Sequence, residues 1–254
     1  MIHLSDLFLE IKYGDELREL GYTILPLLNN AEVSRLLMLH DDLKKTAGLG
    51  MQFYTSIWSN NEDHRKKADQ GIKKILIPAL KTYLKDIQPV FANLMVKASG
   101  EDSSLLPHQD WSFVDEPEFD SATVWIPLVD VSHVNGNLQV VPGSHLRYKS
   151  YLRPRFGDAP FNREEEAFNL IDVPMKAGHA LVLNSRLIHA SPPNLSGFER
   201  IAASVVIAPA AAKIKHWVSD LEGPFEFEVD ETFFWRFSCY DKLEKLKNYS
   251  RSEK

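Results

Sequence analysis

Residues 121–141 read Ser-Ala-Thr-Val-Trp-Ile-Pro-Leu-Val-Asp-Val-Ser-His-Val-Asn-Gly-Asn-Leu-Gln-Val-Val. Two runs rich in β-branched, aromatic and aliphatic side chains, 121–130 and 137–141, flank Asn135-Gly136, a pair that tolerates the backbone of a tight turn. The same pattern recurs outward from this stretch. Apolar runs at 90–98, 167–174, 179–188, 200–208 and 213–218 alternate with turns such as Pro142-Gly143 and Ala177-Gly178. Many short strands bury their apolar faces when two sheets fold over one another. The pattern therefore predicts a mainly β fold with a double-stranded β-helix core, jelly-roll or cupin-like, and flanking helices.

Upstream the period changes from two to about 3.6. Val33, Leu36, Leu37 and His40 share one face of a helix over 31–45 capped by Asn30. Ile72, Ile75, Leu76, Leu80 and Leu84 do the same over 62–86, with Pro78 as a kink or break. Gly21-Tyr-Thr-Ile-Leu-Pro26 and residues 51–58 read as strands between the helices. The expected organisation is a single domain over 1–254. It has a helical N-terminal part of about 1–88, a jelly-roll core of about 89–220 and a charged helical C-terminal tail from Lys242.

Apolar residues at 44% and charged residues at 25% describe a folding chain, not a disordered or fibrous one. A net charge of −6 argues against a partner such as nucleic acid, whose binders present basic faces. Cys239 is the one cysteine, which excludes an internal disulfide and a cysteine-rich zinc site. Residues 1–14 carry Asp6, Glu10 and Lys12 among apolar side chains, unlike the layout of a signal peptide. The nearly apolar run 201–212 contains Ser204 and Pro209 and falls short of the roughly 20 residues that cross a bilayer. The expectation is a cytoplasmic protein acting on a small-molecule substrate, with no membrane or nucleic-acid partner.

His108-Gln109-Asp110 follows a predicted strand, where residues i and i+2 point to one side and can meet at one metal ion. A second such triplet, His40-Asp41-Asp42, lies on a predicted helix, where its ends diverge. His189 closes the apolar run from Ala180 and can supply a third ligand. Two histidines and one carboxylate suit non-haem Fe(II) oxygenases, while ligand count alone leaves zinc hydrolases open. Arg200 stands eleven residues beyond His189 and begins the next predicted strand, the place of an antiparallel neighbour. Its fork suits a dicarboxylate chelating the metal at one end, and the Ser191 hydroxyl can join it. Trp111 and Phe113 can form a substrate wall or simply pack, and His145 reads as part of a structural turn.

Together these features resemble the phytanoyl-CoA dioxygenase family of Fe(II)/2-oxoglutarate-dependent oxygenases. The resemblance rests on His108-Gln-Asp110, on Trp125-Ile-Pro-Leu-Val-Asp130 followed by Asn135-Gly-Asn-Leu-Gln-Val-Val-Pro-Gly-Ser-His145, and on His189-x-Ser191 with Arg200. With the opening Gly21-Tyr-Thr-Ile-Leu-Pro26 it covers roughly 15–210. It implies that His108, Asp110 and His189 hold iron, and that Arg200 and Ser191 bind the distal carboxylate of 2-oxoglutarate. Trp125 then lines the co-substrate pocket, and Asn93 is the nearest counterpart of an amide on the strand before the metal motif. Family halogenases carry Ala or Gly at the carboxylate position, so Asp110 favours hydroxylation. The implied reaction consumes O2 and 2-oxoglutarate, releases succinate and CO2, and hydroxylates an unactivated C–H bond. Desaturation, epoxidation or cyclisation by the same iron site, and a non-catalytic metal- or ligand-binding barrel, are the alternatives. Between 146 and 163, Arg147, Lys149, Arg153, Arg155 and Arg163 face one acid, Asp158, in a loop rich in Pro and Gly. As a lid, such a loop would capture an anionic, carrier-linked or CoA-linked substrate.

Overall fold

The computed structural model describes residues 2–45, 52–147, 168–220, 223–237 and 251–252. In chain order the elements are α1 (Ile11–Leu20), β1 (Tyr22–Pro26), α2 (Asn30–Lys44), β2 (Phe53–Thr55), α3 (Glu62–Leu80), β3 (Ile87–Lys97), β4 (Leu105–His108), β5 (Ala122–Pro127) and β6 (Leu138–Val140). There follow α4 (Ser144–Arg147), β7 (Ile171–Val173), β8 (His179–Asn184), β9 (His189–Ser191), β10 (Arg200–Pro209), β11 (Lys215–Asp220), β12 (Gly223–Glu228), α5 (Phe233–Arg236) and β13 (Arg251–Ser252). A six-stranded sheet in the order β1-β8-β5-β10-β3-β2 faces a four-stranded sheet in the order β4-β9-β6-β7, and β11-β12-β13 form a third. From β4 to β10 the chain passes repeatedly between the two larger sheets, the winding of a jelly roll. No described helix is long and apolar enough to cross a membrane.

Strand alternation assigns each side chain of the large sheet to one of two faces. Leu94, Val124, Ile126, Val182, Ala203 and Val205 point outward and pack with Leu36, Ile72, Leu76 and Leu80 of α2 and α3 in one apolar cluster. Phe91, Asn93, Met95, Thr123, Trp125, Leu183, Ser204 and Val206 point inward and line a cavity. Full burial of each outward aliphatic contributes about 1.5–3 kcal/mol, so the helices hold the sheet from behind while its inner face is left for polar groups. Beyond the short β2, the edge of β3 is satisfied by side chains. Asp69 of α3 accepts the Ala92 N–H at 2.7 Å, and Ser56 Oγ accepts that of Leu94 at 3.0 Å. Burial pushes the Asp69 carboxyl up, and Lys73 at 3.0 Å opposes the shift.

Local chemistry moves several expected boundaries. Asn29, not Asn30, caps α2: its side chain accepts the N–H groups of Ala31 and Glu32, and the Glu32 carboxylate accepts that of Asn29. Gly21 ends α1 at φ 84°, donating its N–H to Leu17 O at 3.0 Å. The strand expected over 51–58 shortens to β2 because residues 56–58 turn into a 3₁₀ helix. The run 179–188 divides, since Asn184 Oδ1 accepts the Arg186 N–H and bends the chain out of the large sheet before β9. Arg200 therefore does not begin an antiparallel neighbour of the His189 strand: β9 pairs with β4 and β6, whereas β10 pairs with β3 and β5. The helical front is also threaded with strand, because β1 and β2 join the large sheet. In the tail expected to be helical, Arg251–Ser252 pairs with β12; residues 238–250 lie outside the described residues.

Candidate active site

His108 ends β4 directly opposite His189 of β9, and their rings are 4.2 Å apart between centroids. Each ring points its Nδ1 at a backbone carbonyl two residues before it, Leu106 O at 2.8 Å and Leu187 O at 2.9 Å. A carbonyl only accepts, so Nδ1 carries the hydrogen in both rings and Nε2 keeps its lone pair for a metal. Asp110 arrives from the loop just past β4, where its N–H is held by Ser185 O at 3.0 Å. Its Oδ2 accepts from Thr123 Oγ1 at 2.5 Å, and Oδ1 lies 3.7 Å from His189 Nε2. One donor atom from each of His108, Asp110 and His189 falls within 4.8 Å of the others, a spacing suited to one ion. His40, by contrast, sits on α2 with its Nδ1 3.2 Å from the neighbouring Asp41.

These three residues stand in the wall of a cavity of about 270 Å³ between the two sheets. Trp125, Asn93 and Arg200 share that lining. Asn93 and Trp125 flank Ser204 across the sheet, and Asn93 donates to Ser204 Oγ at 2.9 Å while accepting from Thr55 Oγ1. Arg200 is 1% exposed, and its guanidinium lies over the Trp125 ring at 5.2 Å with Nε and Nη1 lacking a hydrogen-bond partner. Burial lowers its pKa to about 10. A buried guanidinium with unpartnered donors facing a cavity fits an incoming carboxylate. Ser191 is buried beside this region but is not part of the lining; its Oγ accepts from Lys97 Nζ. Lys97, Thr123, Ser204 and Thr55 were not singled out by the sequence reading. For Lys97 and Ser204 the signal lay in the alternation of 91–97 and 200–206, and for Thr123 in that of 121–127, once the inner face was known.

Apart from Gln109, the remainder of the lining is apolar, with five aromatic rings among it. Phe91 stacks with Trp111 at 6.5 Å and meets Phe113 at 5.4 Å and Phe234 at 5.1 Å, while Phe53 and Trp58 pack edge to face at 5.7 Å. Trp111 and Phe113 thus pack together and also line the cavity, so the two roles coexist. Among the described residues, Asp110 and Arg200 are the carboxylate and the guanidinium of this lining, and no lysine joins them. Arg147 ends α4, and the other basic residues of the 146–163 loop lie outside the described residues. His145, in α4, donates from Nε2 to Arg18 O of α1 at 3.1 Å.

The phytanoyl-CoA dioxygenase family pattern matches residues 40–202. The phytanoyl-CoA dioxygenase of Arabidopsis thaliana is 36% identical over 116 residues, 43% of this chain and 40% of that protein. The 1-deoxypentalenic acid 11-beta-hydroxylase of Streptomyces exfoliatus is 34% identical over 128 residues, 45% of this chain and 44% of that protein. The chain thus spans less than half the length of these curated relatives. Among solved structures, the non-heme alpha-ketoglutarate-dependent carbocyclase SnoK from nogalamycin biosynthesis superposes with a TM-score of 0.60 at 22% identity, over 81% of this chain and 86% of that one.

Proposed function

The chain belongs to the phytanoyl-CoA dioxygenase family of non-haem iron, 2-oxoglutarate-dependent oxygenases, and from that premise we propose that it is a single-domain hydroxylase of a small molecule. His108, Asp110 and His189 would hold Fe(II), with Thr123 fixing the Asp110 carboxylate. Arg200 takes the distal carboxylate of 2-oxoglutarate, with Trp125 beneath the guanidinium and Asn93 further along the same face. When bound, iron with 2-oxoglutarate and O2 supplies the oxidation of a C–H bond, releasing succinate and CO2. The protein's own part is position and exclusion of water: Phe91, Trp111 and Phe113 wall the side where substrate would lie.

The observation that carries the reading is the buried Arg200 guanidinium, its Nε and Nη1 without hydrogen-bond partners, on the same lining as the three-ligand cluster. Once Asp110 serves the metal and Arg200 the co-substrate, the described lining offers a substrate no charge. The reacting part of the substrate is therefore neutral. Capture of an anionic handle by Arg153 and Arg155 rests on the sequence, since both lie outside the described residues. The test supplies Fe(II), 2-oxoglutarate and a metabolite extract, and reads succinate release and product mass. A product heavier by one oxygen supports hydroxylation, whereas one lighter by two hydrogens assigns desaturation or ring closure. Absence of succinate release, with or without extract, overturns the oxygenase reading in favour of a binding barrel.

A further inference from the structure

Successive carbonyls of the turn between β8 and β9 receive the residues of the metal cluster. Ser185 O accepts the Asp110 N–H at 3.0 Å, Arg186 O accepts from Gln109 Nε2 at 2.5 Å, and Leu187 O accepts from His189 Nδ1 at 2.9 Å. Asp110, His189 and the glutamine beside Asp110 therefore take their places from the one stretch 184–188. Neutral bonds help to close that turn. Asn184 Oδ1 accepts the Arg186 N–H at 2.9 Å, while Ser185 donates its N–H to Ser121 O at 3.0 Å and accepts from Ser121 Oγ at 2.8 Å. A charged contact joins them: Arg186 Nη2 donates to Asp120 Oδ1 at 2.5 Å, with side chains 9% and 8% exposed. The other carboxylate oxygen, Oδ2, accepts from His3 Nδ1 at 2.8 Å, and the neighbouring Ile2 N–H is held by Glu118 O at 2.9 Å. A buried ion pair adds little net stability, because taking two charges out of water offsets most of their attraction. What a short, charge-assisted bond does supply is direction, and here it is applied to the turn that orients two of the cluster's residues.

Resting on the metal reading above, we propose that Arg186 is a positioning residue for the metal centre, which with Asp120 holds the 184–188 turn so that its carbonyls aim the His189 ring and seat Asp110. Neither charged side chain need reach the ion. Leu187 O keeps the His189 hydrogen on Nδ1 and so keeps the Nε2 lone pair for the metal, and a shift of the turn alters both the length of that bond and the aim of the ring. The backbone of Asp110 moves with the same turn through Ser185 O. His108 is exempt, because its Nδ1 is held by Leu106 O of its own strand. Loosening the turn therefore distorts the ligand set without dismantling it.

The test is binding of Co(II) to the metal-free protein, read as affinity by equilibrium dialysis and as geometry by the low-temperature EPR spectrum of the bound ion. Truncating one partner would strand a buried charge, so the variant combines Arg186→Met with Asp120→Asn, which removes both charges and leaves His3 an acceptor. Without metal it should melt close to the unmodified protein, yet bind Co(II) about 10- to 100-fold more weakly and with an altered spectrum. Arg186→Lys keeps a charged donor toward Asp120 and should recover most of that loss. Unchanged affinity and spectrum in the double variant overturn the proposal, as does an Arg186→Lys protein no better than the double variant. Weaker binding with an unaltered spectrum assigns the pair a merely structural role and also overturns it. Should the double variant fail to fold, Asp120→Asn alone decides: an altered spectrum supports the proposal and an unaltered one overturns it. Failure of the unmodified protein to bind Co(II) at all overturns the metal reading itself.

Discussion

Replacing Arg200 by methionine should make the metal-free protein more stable while weakening its grip on 2-oxoglutarate. Each buried donor without a partner costs about 1–3 kcal/mol, and Arg200 has two, Nε and Nη1. Methionine keeps much of the stem and carries no donor, but it surrenders the contact with Trp125 at 5.2 Å, worth about 0.5–2 kcal/mol. At the middle of these ranges the balance is a gain of about 3 kcal/mol. At about 2–4 °C per kcal/mol for a chain of this size, the melting temperature rises by roughly 6–12 °C. On the ligand side, the distal carboxylate loses charged hydrogen bonds worth about 1.5–3 kcal/mol, or about 10- to 150-fold in Kd. Scanning calorimetry of the metal-free protein and titration of 2-oxoglutarate into the Mn(II)-loaded protein measure the two halves separately. A lower melting temperature would mean that the fold already compensates the guanidinium. An unchanged Kd would mean that the carboxylate docks elsewhere, and either result refutes the reasoning.

Three further outcomes are expected. His108→Ala, Asp110→Ala and His189→Ala should each abolish tight Fe(II) binding and succinate release, while His40→Ala leaves both intact; loss of metal in His40→Ala with retention in Asp110→Ala would reverse the ligand assignment. Thr123→Val removes the donor to Asp110 Oδ2 without touching a ligand, and equilibrium dialysis should show metal affinity reduced by about 10- to 100-fold. The metal-free protein should gain stability as pH rises above 7. With Lys97 near 7 in the folded chain against an ordinary 10.5, the unfolded chain binds more protons between those values, so the cost of burying the ammonium is full below pH 7 and is relieved above it. Denaturant melts at pH 7 and 9 check this, and a slope unaltered by Lys97→Met would count against the assignment.

Much of the site was written in local order and spacing. His108-Gln-Asp110 and His189 are donor types at separations that only a strand-rich fold brings together, and Asp110 and His189 do lie 3.7 Å apart. Reading the barrel required only the period-two runs from Pro89 onward, because a strand's alternation is carried in the chain itself. Boundaries were less legible. The Asn29 cap depends on which side chain reaches the N–H groups, and the break between β8 and β9 depends on the Asn184 side chain bonding the Arg186 N–H.

Residue types, their order and their period are properties of the chain alone, and these determined the family resemblance, the two-sheet winding and the candidate ligands. Sheet pairing is set by which apolar faces pack across the whole fold, and that placed β10 beside β3 rather than beside β9. Only through that pairing does Lys97 stand against Arg200 and donate to Ser191, from positions separated by about a hundred residues. Charge compensation is likewise non-local. A lysine in an alternating run looks like any solvated strand residue, and its burial without a carboxylate partner emerged only when β2, β9 and the 132–137 loop closed around it.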